Sequence, residues 1–261
     1  MARRTLKNAR ALVTGASSGI GREIALELAA QGTRVLVTAR REERLVELVQ
    51  QIQAAGGEAH YVAGDITRPE VRESLVAAAA DQLSGLDILV NNAGVGSIEK
   101  FVDSTEANLR TLFELDFFAA VEMIRVALPL LRQGERPLIA NIASVLGHVA
   151  VPKKSEYCAA KFALHGFTDA LRAELAPEKI DVSLICPSTT DSEFWESVLA
   201  NQAKLPWKKL GMMSSAAVGR ASVKAIRRGQ REMIMTIGGK GLVLSDRLFP
   251  GLTGWLISRF G

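Results

Sequence analysis

Short apolar runs alternate along this chain with longer stretches in which apolar residues return every three or four positions. ALVTG (11–15) is followed by GIGREIALELAAQG (19–32), RVLVTAR (34–40) by EERLVELVQQIQAAG (42–56), and AHYVAGD (59–65) by PEVRESLVAAAADQLSG (69–85). LDILVNNAG (86–94) leads into a long helical stretch, LRTLFELDFFAAVEMIRVALPLL (109–131), and RPLIANIAS (136–144) into a helix that begins SEYCAAKFAL (155–164). KIDVSLICP (179–187) closes the series; a helical SSAAVGRASVKAIRRG (214–229) and a short strand-like EMIMTIG (232–238) follow. Runs that are apolar throughout suit strands covered on both sides, and their alternation with amphipathic helices predicts a parallel sheet. Right-handed crossovers then give a Rossmann-like, doubly wound α/β sheet with helices on both faces, a single domain over residues 1–261.

Two stretches break the rhythm. Residues 188–213 follow the sixth strand, where ligands bind in such sheets, and carry Trp195 and Trp207 without a tidy period. They are expected to form a substrate lid, with a surface helix pair as the plainer alternative. The tail, 236–261, is apolar at irregular helical spacing, but Asp246, Arg247 and Pro250 interrupt it, so it cannot span a bilayer. An interfacial segment touching a membrane, a subunit contact and a cover for the substrate cleft all remain open for it.

Composition narrows the class. With 261 residues, 48% apolar and 23% charged, the chain suits one α/β domain with a sizeable core. The net charge of +4 is spread along the chain, and no basic run interleaved with aromatics points to nucleic acid. Cys158 and Cys186 have neither metal-ligand spacing nor the density of a disulfide scaffold, so no metal site is expected and both read as buried thiols. No apolar run of signal-peptide length precedes the first strand, and a cytoplasmic location is expected.

Candidate chemistry starts at TGASSGIG (14–21). Gly15, Gly19 and Gly21 allow a tight turn between the first strand and the first helix, and let backbone amides approach a phosphate. Ser17 and Ser18 add hydroxyl donors, Ile20 opens the helix, and the helix amino terminus offers free N–H groups to a pyrophosphate. At the end of the second strand, an NAD-binding sheet places a carboxylate that accepts from the ribose hydroxyls. Thr38 and Ala39 stand there, followed by Arg40 and Arg41, a guanidinium pair suited to a 2′-phosphate, so NADP is expected rather than NAD. Asp65 and Ile66 end the third strand. Asp65 has two readings, acceptor for the adenine amino group or cap of the helix near Pro69. In NNAG (91–94), Asn91 and Asn92 can tie strands together, while Ala93 and Gly94 leave room for a ribose.

Tyr157 and Lys161 sit four apart in a helix, hence on one face. With these residues the chain resembles the short-chain dehydrogenase/reductase family: TGASSGIG, NNAG, Ser144 and YCAAK (157–161) agree in order and spacing, over about Ala11 to Phe194. The resemblance implies an oxidoreductase that interconverts a carbonyl and an alcohol. Tyr157 is then the general acid–base, Lys161 lowers its pKa and bonds the nicotinamide ribose, and Ser144 holds the substrate oxygen. Pro187, Thr190 and Ser192 fall in the segment that receives the nicotinamide carboxamide, although Ser188 replaces the family's glycine. His148, four beyond Ser144, is a candidate for the substrate mouth; His60 and His165 show no partner and receive no role.

The family often has an asparagine in the long fourth helix, and Asp116 occupies that position. It is counted among the catalytic candidates, either as a carboxylate that can pair with Lys161 and weaken its influence on Tyr157 or as a carboxyl protonated in its site. The apolar lid and tail suggest an apolar small-molecule carbonyl or alcohol, and the family implies a homodimer or homotetramer. Two alternatives stand beside this reading. One is a 3-oxoacyl carrier-protein reductase, with Lys204, Lys208 and Lys209 meeting an acidic carrier. The other is a non-catalytic nucleotide sensor, favoured by Asp116 and Ser188.

Overall fold

The computed structural model describes residues 4–191, 194, 198–199 and 212–260. Seven strands form one parallel sheet: β1 (Arg10–Thr14), β2 (Arg34–Ala39), β3 (Ala59–Ala63), β4 (Ile88–Asn91), β5 (Leu138–Ile142), β6 (Asp181–Cys186) and, farther along, β9 (Glu232–Ile234). Their spatial order is β3-β2-β1-β4-β5-β6-β9. The chain winds outward from β1 through β2 to β3, then returns to lay β4 on the other side of β1. That reversal opens a crevice beyond the carboxyl ends of β1 and β4, the usual ligand position in such sheets.

The helices α1 (Gly19–Ala30), α2 (Glu42–Ala54) and α3 (Pro69–Leu83) connect the first four strands. After β4 come α4 (Glu106–Phe113), a π-helical turn (Glu114–Phe118) and α5 (Ala119–Leu131), which occupy the stretch expected as one long helix. After β5 comes α6 (Ser155–Leu175), and α7 (Ser215–Arg228) precedes β9. The inner strands are buried on both faces, as continuous apolar runs require. One face packs Ile24, Leu28, Leu45, Leu48 and Ile226, from α1, α2 and α7, on Val13, Val37 and Val90. The other packs Leu75, Leu83, Met123 and Ile124, from α3 and α5, on Leu12, Leu36 and Leu89. The short strand-like run near residue 232 supplies the seventh strand, pairing Leu184 with Glu232.

The stretch expected to form a lid starts and ends at one place. Thr190 and Asp191 (β7) pair with Met213 and Ser214 (β8). Ser192, Trp195, Trp207, Lys204, Lys208 and Lys209 lie outside the described residues. The tail is two helices, α8 (Ile237–Leu248) and α9 (Pro250–Phe260). Val243, Leu242 and Ile257 pack on Val145, Leu146 and Val149, beside the loop that carries Ser144. No helix among the described residues is long and apolar enough to cross a membrane.

Candidate functional site

A cleft of about 1960 Å³ runs along the carboxyl ends of the strands. Ordinary small-ligand pockets reach about 1,000 Å³, so there is room for a dinucleotide and a substrate together. One end is the turn after β1. Gly15 has φ +65°, and a β-carbon there would lie 2.7 Å from the Ala93 backbone. A β-carbon on Gly21 would overlap the Asn92 side-chain amide and the Gly15 carbonyl. Asn92 fastens the turn by donating from Nδ2 to the carbonyls of Thr14 (3.0 Å) and Gly15 (3.1 Å). The Thr14 hydroxyl accepts from the backbone amides of Asn92 and Ala93, each at 3.0 Å. Asn92 therefore shapes the turn. Asn91 donates to Asn141 (3.0 Å) and ties β4 to β5, as two amides at a strand end can.

The amino terminus of α1 opens into this cleft, and its N-cap, Ser18, makes no side-chain capping bond. The first amides of the helix, the space that only glycine leaves open and the serine hydroxyls fit a pyrophosphate. Beside them, Arg41 donates from Nη2 to Ser18 Oγ (2.7 Å) and Ser17 Oγ (3.0 Å). Arg40 is exposed on the cleft rim. Thr38, just before them, is buried with a hydroxyl that has no hydrogen-bond partner among the described residues, although it lines the cleft. A bound polar group would relieve that cost. These observations fit a nicotinamide dinucleotide.

Asp65 lines the cleft and does not cap α3. One oxygen accepts from the Thr67 amide (3.0 Å) and hydroxyl (2.9 Å), closing a tight turn. The N-cap of α3 is Arg68, without a side-chain capping bond. Ile66 lines the cleft while its side chain is mostly in the core. Arg72, a residue the sequence did not single out, braces this turn by donating to the carbonyls of Ile66 (2.7 Å) and Thr67 (2.8 Å).

At the other end, Ser144 follows β5, and Tyr157 and Lys161 project from the first turns of α6. All three line the cleft. The Ser144 hydroxyl lies near enough to the phenol of Tyr157 to favour its charged form, and it accepts from the Leu146 amide at 3.1 Å. Lys161 Nζ lies 5.5 Å from the centre of the tyrosine ring. Phe194 meets that ring edge-on, at 6.1 Å between centroids. Burial pushes the Tyr157 phenol above its ordinary value; Lys161 and Ser144 pull it down, and Asp116 pushes it back up. In the protein without ligand the expected lowering by Lys161 therefore loses to burial. Burial also disfavours the Lys161 ammonium, but Asp116 and Tyr157 outweigh it, and the lysine is held above its usual range.

A profile for short chain dehydrogenases matches residues 9–203. The chain belongs to the short-chain dehydrogenase/reductase family. As a member it is an oxidoreductase acting on CH–OH groups with a nicotinamide cofactor. L-2,3-butanediol dehydrogenase of Corynebacterium glutamicum is 34% identical over 82% of this chain and 86% of its own. A hydroxysteroid 11-beta-dehydrogenase 1-like protein of Xenopus tropicalis is 38% identical over 98% and 88%. Among solved structures, a short chain dehydrogenase/reductase of Burkholderia phymatum in complex with NAD shares the fold, with TM-score 0.87 at 24% identity over 95% of this chain and 96% of its own.

Most of the family's pattern converges in the cleft: Gly15, Ser17, Ser18, Gly19, Ile20, Asn92, Ala93, Gly94, Pro187 and Thr190 all line it. Gly21 stands behind the turn rather than in the cleft wall. His148 is the clear exception. Its side chain is 2% exposed, turned away from the cleft, and pairs with Glu232 of β9 at 2.7 Å. It also lies 3.5 Å from Cys186 Sγ and 4.2 Å, ring to ring, from His165. A loop histidine four residues past Ser144 says nothing about direction; the added strand β9 captures it. His165 and His60 do have partners, the Gly147 carbonyl (3.0 Å) and Glu58 (3.4 Å). Ser188 has no left-handed φ, so a side chain is tolerated where the family has glycine. Its hydroxyl bonds that of Thr236, the N-cap of α8, at 2.7 Å. Lys154 and Leu242 also line the cleft, and neither was singled out. Lys154 stands just before α6 as its N-cap, three residues ahead of Tyr157.

Proposed function

We propose that this protein is an NADP-dependent oxidoreductase that interconverts an apolar ketone or aldehyde and the matching alcohol, with Tyr157 as the general acid–base. The observation that carries this reading is the gathering of Ser144, Tyr157 and Lys161, whose Nζ lies 5.5 Å from the centre of the tyrosine ring, in the wall of one cleft that continues to Arg41. The dinucleotide supplies or accepts the hydride when bound. Gly15, Ser17, Ser18 and the start of α1 hold its diphosphate; Arg41, with Arg40 on the rim, meets the 2′-phosphate.

In the direction of reduction, the Ser144 hydroxyl donates to the substrate oxygen and holds it beside the phenol. Tyr157 gives up its proton to that oxygen as negative charge develops on it. The phenolate left behind faces the Lys161 ammonium, which stabilises it. In the direction of oxidation the same phenolate takes the proton back. Water is disfavoured around the reacting oxygen by Leu146, Val151, Phe194, Val198 and Leu242, and these side chains favour an apolar substrate. Exposed Phe101, Val102, Phe118 and Phe162, around α4 to α6, support the expected pairing of subunits.

The test follows cofactor absorbance across a panel of apolar ketones, aldehydes and alcohols, with wild type beside Tyr157→Phe. Turnover with at least one substrate, lost in the variant while dinucleotide binding survives, is expected. Binding without turnover on any member of the panel would favour a sensor instead.

A further inference from the structure

The lysine of the catalytic set has a second partner that the reaction does not require. Asp116 Oδ2 lies 2.9 Å from Lys161 Nζ, and neither side chain is open to solvent: their exposures are 0% and 6%. The other oxygen, Oδ1, accepts from the backbone amide of Val95 at 2.7 Å. Asp116 reaches this place from the middle of the π-helical turn, Glu114–Phe118. Such a turn adds a residue to a helix and re-aims its side chains, and it recurs at functional sites. The carboxylate thus joins the turn after β4, which borders the cofactor cleft, to the first turns of α6.

We propose that Asp116 is a positioning residue that occupies the Lys161 ammonium and withholds part of its field from the Tyr157 hydroxyl. The idea rests on the reading of Tyr157 as the acid–base. Burial, the largest influence, pushes the Asp116 carboxyl above its ordinary value, while the Lys161 ammonium at ion-pair distance and the donating Val95 amide favour its charged form. An ion pair acts on a third group as a dipole, more weakly than the ammonium would alone. Among the described residues, Cys158 on α6 and Cys186 on β6 also act on the trio. Burial holds both thiols above their usual range, so neither brings a charge at neutral pH. In the free protein the phenol therefore stays protonated, and Lys161 assists it to the extent that Asp116 lets go.

The chain has two tyrosines, which makes the phenol observable without turnover. In a Tyr61→Phe background, Tyr157 is the sole tyrosine, and the ultraviolet band of its phenolate reports its titration in cofactor-free protein. Removing the anion stabilises the phenolate, so Asp116→Asn is expected to move the transition about one pH unit lower, roughly tenfold in the ionisation constant. Asp116→Ala is expected to move it the same way, and Asp116→Glu to leave it near the parent. The base limb of alcohol oxidation should shift in the same direction. Thermal melting identifies which variants are folded. A transition that stays within a few tenths of a unit in both folded neutral variants overturns the proposal, even if Tyr157→Phe abolishes turnover. A shifted transition upholds it, whether or not a substrate is found.

Discussion

Replacing Arg41 with alanine should change which dinucleotide this protein prefers. The guanidinium reaches across the mouth of the glycine turn to Ser18 Oγ at 2.7 Å and Ser17 Oγ at 3.0 and 3.3 Å. Arg41 is also the N-cap of α2, so its backbone is held by the helix it starts. A 2′-phosphate carries about 1.5 to 2 negative charges near neutral pH. A hydrogen bond to a charged group contributes about 1.5–3 kcal/mol. Since 1.4 kcal/mol is tenfold, losing that contact should lower kcat/KM for NADPH by about 10- to 150-fold. The bonds to the two serines are neutral at the acceptor, at about 1 kcal/mol each, and their loss falls on NADPH and NADH alike. The decisive quantity is therefore the ratio of kcat/KM for the two dinucleotides, measured by initial rates with one saturating substrate. It should fall at least tenfold in Arg41→Ala, while Arg40→Ala, on the exposed rim, should change it less. A ratio unchanged within about threefold in Arg41→Ala refutes the argument, as does a larger shift in Arg40→Ala.

Further outcomes follow from the same geometry. Tyr157→Phe should lower kcat by at least about 10²- to 10⁴-fold, the usual worth of a positioned acid–base, with dinucleotide affinity by fluorescence titration nearly unchanged. His148→Ala should leave KM and kcat within about threefold, because the side chain points to Glu232, yet cost about 1–3 kcal/mol in a denaturant melt through the partners left in the interior. Arg4 is 5% exposed and donates to the carbonyls of Arg136 (2.8 Å) and Ile226 (2.7 Å) and to Asp181 (2.9 Å), pinning the amino end across β6 and α7. Arg4→Ala should therefore cost about 3 kcal/mol, lowering Tm by about 6–12 °C in a domain of this size; an unchanged Tm would show that the anchor carries no load.

Much of the architecture and the centre of the site could be read in the order of residues alone. Strands buried on both faces must be apolar throughout, and covering helices must repeat near 3.6, so six strands and their helices were visible as alternating periods. The glycine turn was equally legible, because a tight turn into a helix is decided within a few residues. Tyr157 and Lys161 were legible because one helical turn fixes their neighbourhood. Tertiary structure decided whatever depends on partners distant in sequence. β9 completes the sheet by pairing with β6, and in doing so takes His148 away from the cleft. Ser188 is tolerated because its φ is ordinary and its hydroxyl pairs with that of Thr236. Arg41 rather than Arg40 faces the two serines, a choice made by how α2 begins. Asp116 could be recognised from sequence as a departure, but only the re-aiming of its helix by a π-turn brings its charge onto Lys161. Period and turn chemistry are local properties of the backbone and survive in one dimension. The direction of a buried side chain and the field at a phenol are sums over neighbours that only folding assembles.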